Sequence, residues 1–125
     1  MITEGKASLL VDTLYTPTLA AEMLDAAADG RLKALYIAGL DPAASAENSE
    51  GVKNALSQVS FLVVQDVFLT ATARLADVVL PAVSFAEKDG TLTNLERRVQ
   101  RLNAAVPVRG QARPDWQIVA SVANI

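Results

Sequence analysis

Short uninterrupted apolar runs alternate along this chain with stretches whose apolar residues recur at helical spacing. Ala34–Ala38 (ALYIA) leads up to Gly39, Phe61–Val64 (FLVV) to Gln65-Asp66, and Val78–Leu80 (VVL) to Pro81. These runs are too short for buried helices and hold β-branched and aromatic residues, so they predict buried strands. Ala7–Val11 is a further apolar run, read as a strand or an extended entry. Between them, Leu19, Met23, Leu24 and Ala27 mark a helix, with Thr16 as N-cap, Pro17 at its first position and Gly30 closing it. A second helix is predicted over Glu47–Gln58, with Val52, Ala55, Leu56 and Val59 on one face. Thr70–Ala76 reads as a short helical turn, Asp89-Gly90 as a tight turn and Thr91–Asn103 as extended or irregular. A last helix starts at Arg113-Pro114-Asp115-Trp116 and presents Ile118, Val119 and Val122.

Strands separated by helices predict an α/β fold: a three-layer, Rossmann-like domain with a mainly parallel sheet covered on both faces. The expectation is one domain over residues 1–125, with Leu35–Ala38, Phe61–Val64 and Val78–Leu80 parallel and with Val63 and Val79 buried. The pattern contains no internal repeat, linker or low-complexity tract.

Composition narrows the chemistry. The chain is 51% hydrophobic but only 5% aromatic, so its core is built from Ala, Val, Leu and Ile. A formal charge of −3 gives no basic excess for nucleic-acid binding. The charge is uneven: residues 1–50 hold 8 acids and 3 bases, residues 51–125 hold 6 acids and 8 bases. Five arginines fall between Arg97 and Arg113, either as a solvated face or as a surface for an anion or partner. With no Cys and no His, the chain offers no disulfide, no cysteine-ligated iron–sulfur cluster, no ordinary zinc site and no His-based triad. Purified chain is accordingly expected to carry no iron. No signal peptide or membrane-length apolar run is visible, and a cytoplasmic location is expected.

In parallel α/β sheets, ligands bind beyond the carboxyl ends of the strands. Two loops leave such ends here, Gly39-Leu40-Asp41-Pro42 and Gln65-Asp66-Val67-Phe68-Leu69-Thr70. Each puts a carboxylate just past a strand. A carboxylate there can accept a pair of hydrogen bonds, from the Watson–Crick edge of guanine or from a ribose diol. Thr70 and Thr72 suit a phosphate or sugar oxygen. Alternatively, Asp66 caps the following turn or pairs with Arg74, and Asp77 closes a turn. Glu87 and Asp89 flank Lys88 beside a glycine and read as a solvated loop. The Gly-rich fingerprints of dinucleotide and P-loop sites are missing.

The stretch FLVVQDVFLTATARLADVVLPAVSFAEKDGTLTNLERRVQR resembles the molybdopterin oxidoreductase superfamily. The pattern runs through Gln65-Asp66, Phe68, Thr70, Thr72-Ala73, Ala76–Pro81, Glu87-Lys88, Gly90-Thr91, Asn94, Glu96, Arg98 and Gln100. GRLKALYIAGLDP and RGQARPDWQI fit the same families. Within the superfamily it is most like the molybdopterin oxidoreductase-like subunit of NADH-quinone oxidoreductase (NADH dehydrogenase, complex I) and the catalytic subunit of related formate dehydrogenases. Three departures stand out. The family's Gly-x-Asn-Pro loop reads Gly39-Leu40-Asp41-Pro42, its Thr-Glu-Thr-Ala reads Thr70-Ala71-Thr72-Ala73, and its Glu-Gly-Arg reads Glu96-Arg97-Arg98.

The resemblance implies an internal α/β domain of a larger chain, lining a pterin cofactor cleft. Members that keep the cofactor bind molybdopterin guanine dinucleotide across several domains. Gly39, Asp41, Pro42, Gln65, Asp66 and Thr70 occupy the matching positions here, with Asp66 and Thr70 toward the nucleotide half. The leading expectation is a domain of the complex I subunit, supporting electron transfer without a redox centre of its own. The alternatives are a cofactor-binding domain of a formate dehydrogenase and a free-standing guanine-nucleotide module. Partners would be the rest of the parent subunit and other subunits of a redox complex, on the cytoplasmic side of a membrane in a peripheral arm. No catalytic residue or metal ligand is assigned, and the isolated chain is expected to hold no cofactor and to bind guanine nucleotides weakly.

Overall fold

The computed structural model describes residues 8–10 and 17–124, and there the apolar runs form neighbouring strands. They are β1 (Ser8–Leu10), β2 (Ala34–Ala38), β3 (Phe61–Asp66) and β4 (Val78–Pro81), hydrogen-bonded in that order. β1 pairs with β2, and β2 with β3, in parallel, with Leu35 opposite Leu62, Ile37 opposite Val64 and Ala38 opposite Gln65. The chain divides into two compact units, Met1–Leu80 and Pro81–Ile125.

In the first unit, α1 (Pro17–Ala28) connects β1 to β2, while α2 (Pro42–Ser45) and α3 (Ser49–Ser57) connect β2 to β3. The Thr16 cap, Ala7 and Val11 lie outside the described residues. Gly30 closes α1 in the left-handed conformation, φ 68°. Two helices stand here: the short α2, which the pattern did not predict, and α3, the helix expected over Glu47–Gln58. Pro42 starts the first at its N1 position, extended Ala46 ends it, and the Asn48 side chain caps the second by accepting from the Gly51 amide at 3.0 Å.

α1 and α3 pack together on one face of the sheet. Met23 and Ala27 from α1 and Ala55 and Leu56 from α3 join Leu35, Ile37, Leu62 and Val64 in one core. The topology explains this: right-handed crossovers between strands laid down in sequential order keep successive helices on the same side. Strand alternation then puts Ala34, Tyr36, Phe61 and Val63 on the opposite face. That corrects two expectations. Val63 is only half-buried, because it points away from the helices. Val79 is 37% exposed, because β4 stands last in the strand order. Asp77, just before β4, closes on β3: its amide donates to the Leu62 carbonyl at 2.9 Å, and its carboxylate accepts from the Leu62 amide at 2.7 Å.

In the second unit, residues 91–103 take the extended alternative and pair with each other. β5 (Gly90–Thr93) and β6 (Val99–Leu102) form an antiparallel hairpin. Seven of its eight strand residues are exposed, so no inside–outside alternation marked them as strands. The Asn94 side chain accepts from the Arg98 amide at 2.9 Å across the turn, and Arg97 is left-handed at φ 62°. Glu87 is no loosely solvated carboxylate. It closes a capping box with Ser84, accepting from its amide and its hydroxyl at 2.9 Å each. Asp89 accepts from the Ala104 amide, and Lys88 pairs with Asp115 at 2.6 Å. In α4 (Asp115–Ala123), Ile118 is buried while Val119 and Val122 stay exposed, so the expected apolar face is only partly used.

Candidate functional site

Parallel pairing of β2 with β3 carries both candidate loops to one sheet edge. The ladder runs to Ala38 opposite Gln65, and the Gly39 amide extends it by donating to the Gln65 carbonyl at 2.9 Å. Gly39 turns the chain at φ 65°, a conformation that costs glycine little and other residues more. Pro42 follows as the first residue of α2, supplying a fixed φ where no amide donor is needed.

The two loops are then tied to each other. Asp41 is the N-cap residue of α2, yet its side chain does not cap that helix. It reaches the other loop instead. Its Oδ1 accepts from the Thr72 amide at 2.9 Å and the Thr72 hydroxyl at 2.6 Å, and its Oδ2 accepts from the Ala71 amide at 3.3 Å. Thr72 returns the bond: its Oγ1 accepts from the Ala43 amide, in the first turn of α2, at 3.0 Å. Burial pushes the Asp41 carboxyl toward its neutral form. The hydrogen bonds from Thr72 and Ala71, helped by the nearby Ala44 amide dipole, outweigh it and hold the group below the usual aspartate value.

The remaining site residues differ in what they leave available. Gln65 is 1% exposed and accepts a hydrogen bond from the Tyr36 hydroxyl, so its amide is part of the interior. Thr72 is fully buried, and the phosphate- or sugar-binding surface expected of its hydroxyl does not exist. Asp66 is partly exposed. One oxygen accepts from the Phe68 amide at 3.0 Å, the turn-capping role weighed for it. No ion pair joins it to Arg74 among the described residues. Thr70 is partly exposed, and its hydroxyl accepts from the Ala73 amide at 3.1 Å, leaving its proton to donate. Beside them, Phe68 is 74% exposed. The edge thus presents the second oxygen of Asp66 and the hydroxyl proton of Thr70 next to a loop stiffened from behind. Such a pair can accept from an N–H donor and donate to an oxygen; it cannot by itself move electrons. Among the described residues, no three His, Cys, Asp or Glu side chains come close enough to hold a metal ion. No helix there is long and apolar enough to cross a membrane.

The sequence pattern did not show that Asp41 and Thr72 meet. They stand 31 positions apart, and only the strand register brings them together.

Comparison with known proteins adds a lineage to this geometry. The family described as molybdopterin oxidoreductase matches residues 4–125. The F420-dependent formate dehydrogenase 2 subunit alpha of Methanococcus maripaludis is 54% identical over 94 residues, 75% of this chain and 14% of that protein. The F420-dependent formate dehydrogenase subunit alpha of Methanocaldococcus jannaschii is 52% identical over 103 residues, 82% of this chain and 15% of that one. The chain therefore spans about a seventh of these relatives. Among solved structures, acetylene hydratase from Pelobacter acetylenicus superposes with a TM-score of 0.73 at 23% identity, over 83% of this chain and 15% of that one, a likeness of fold. A match that runs almost from end to end, with half the residues identical in such relatives, leaves one conclusion: the chain belongs to the molybdopterin oxidoreductase family.

Proposed function

We propose that this chain is an α/β segment of a formate dehydrogenase catalytic subunit, and that its sheet edge receives the guanosine half of a molybdopterin guanine dinucleotide. The observation that carries the reading is identity above 50% to two formate dehydrogenase alpha subunits. It takes the place of the complex I expectation, for which these relatives provide no specific support. The chemistry of the edge fits the nucleotide. Asp66 keeps one carboxylate oxygen without a protein donor among the described residues, and guanine offers N–H donors on its Watson–Crick edge. Thr70 can donate to a sugar or phosphate oxygen, and Gly39 lets the neighbouring loop turn without a side chain in the way.

When bound, the pterin group supplies the metal-centred redox chemistry; this chain contributes binding and orientation. It has no Cys or His to act as a redox ligand or general base. The rest of the parent subunit would complete the cleft. The designation alpha in the relatives' names supports further subunits as partners, and a cytoplasmic location goes with the same reading.

The test uses the full-length protein that carries this segment. Acid hydrolysis of purified protein should release guanine nucleotide in at least stoichiometric amount, and the protein should reduce a dye with formate. Asp66→Ala should lower the nucleotide retained. Absence of guanine nucleotide, or cofactor-loaded protein inert toward formate, would overturn the proposal. Calorimetry on the 125-residue chain separates the free-standing module. Weak or undetectable GMP binding is expected, whereas sub-micromolar affinity lost in Asp66→Ala would favour the module.

A further inference from the structure

We infer that Asp41 and Thr72 are positioning residues: a reciprocal cap between two loops that locks the segment bearing Asp66 and Thr70 to the sheet edge. The inference rests on the reading that Asp66 and Thr70 face the nucleotide, and it gives Asp41 the task of holding their loop.

The hydrogen bonds of the two loops interlock. α2 begins with Pro42, which has no amide proton, so its first donor is the Ala43 amide. That donor is satisfied by Thr72, from the other loop, at 3.0 Å. The Ala44 and Ser45 amides turn back to the Asp41 carbonyl at 3.1 and 2.9 Å. The Asp41 carboxylate, freed from its own helix, caps the Ala71 and Thr72 amides of the opposite turn. Each loop thus provides the cap that the other lacks.

Both partners are engaged from the protein. The Thr72 hydroxyl donates once and accepts once, and no part of the residue reaches solvent. Asp41 Oδ1 takes two donors and Oδ2 one. A ligand could reach the Thr72 hydroxyl only by breaking into the interior, and each Asp41 oxygen already serves an amide of the other loop. The loop's other bonds are local: Phe68 amide to Asp66, Thr70 amide to the Phe68 carbonyl, Ala73 amide to the Thr70 hydroxyl, Arg74 amide to the Thr70 carbonyl. They shape the turn without fixing where it stands. Beyond the Gly39–Gln65 end of the ladder, Asp41 and Thr72 contribute four cross-loop hydrogen bonds.

The test compares Thr72→Val, Thr72→Ser and Asp41→Asn in the 125-residue chain by amide hydrogen exchange. Valine keeps the volume and removes both hydroxyl bonds. Serine keeps them. Asparagine keeps the shape but cannot accept on both sides. Exchange at Ala43, Ala71 and Thr72 should rise about tenfold or more in Thr72→Val, as expected when a bond to a charged acceptor is lost. Leu35 and Ile37 amides should stay within about twofold, and Thr72→Ser should match the parent. If Thr72→Val does not fold, Asp41→Asn gives the same reading at Ala71 and Thr72. Unchanged exchange at these amides, or an equal rise at Leu35 and Ile37, would overturn the inference. The outcome is independent of the nucleotide. A loosened loop in Thr72→Val, together with full guanine nucleotide in the Asp66→Ala parent protein, would leave the latch standing and sink the cofactor reading alone.

Discussion

Leu62→Ala and Val63→Ala, at adjacent positions of one strand, should differ severalfold in their effect on stability. Leu62 is 1% exposed and packs in the core that α1 and α3 share with β2. Truncation removes three carbons, and at about 0.8 kcal/mol per buried methylene the lost transfer energy is about 2.4 kcal/mol. The cavity left behind adds to this. Collapse is hindered because Asp77 grips the Leu62 backbone at both its amide and its carbonyl. The expected cost is about 3–4 kcal/mol, within the range for buried Leu→Ala changes. Val63 faces the other way and is half-buried, so losing two carbons there should cost about 1 kcal/mol or less.

Urea unfolding followed by far-ultraviolet circular dichroism measures both. Trp116, the only tryptophan, belongs to the second unit and is not a reporter for this one. Exchange of the Leu35 and Ile37 amides therefore gives the independent reading. Equal costs for the two variants, or a Leu62→Ala cost below about 1 kcal/mol, would refute the assignment of the helix-covered face.

Arg97 holds a left-handed φ of 62° where the family pattern favours glycine, so Arg97→Gly should stabilise the β5–β6 turn by about 1 kcal/mol. Slower exchange of the Arg98 amide would show it, and faster exchange would refute it. The Glu87 carboxyl is held below its usual value by the Ser84 amide, then the Ser84 hydroxyl and the backbone and charge of Arg109. A carboxyl depressed in the folded state contributes stability above its unfolded pKa and loses it as pH falls through the folded value. Ser84 amide exchange, corrected for its intrinsic pH dependence, should therefore speed up in that acidic window, and Glu87→Gln should flatten the response.

Some of this was legible in the linear pattern because its causes are local. ALYIA and FLVV are short and β-rich enough to read as strands, and a strand–helix–strand alternation favours parallel pairing. The end of each apolar run places the strand end to within two residues, β3 running on through Gln65 and Asp66, so the loops after them were found from spacing alone. The family motif pointed to the same two loops. What the pattern could not decide was which side of each strand would be covered. A continuous apolar run looks the same on both faces, and the strand order put both helices against Leu62 and Val64 rather than Val63. The β5–β6 pairing was not in the pattern, because exposed strands carry no alternation. The roles within the site were also tertiary. Asp41 and Asp66 look alike in sequence, each a carboxylate one or two residues past a strand. Register set Thr72 against Asp41, whose two oxygens accept three donors, and left Asp66 one oxygen to offer. A hydrogen-bond acceptor is a site or a strut according to what already donates to it, and donors 30 residues away are placed only by the folded chain.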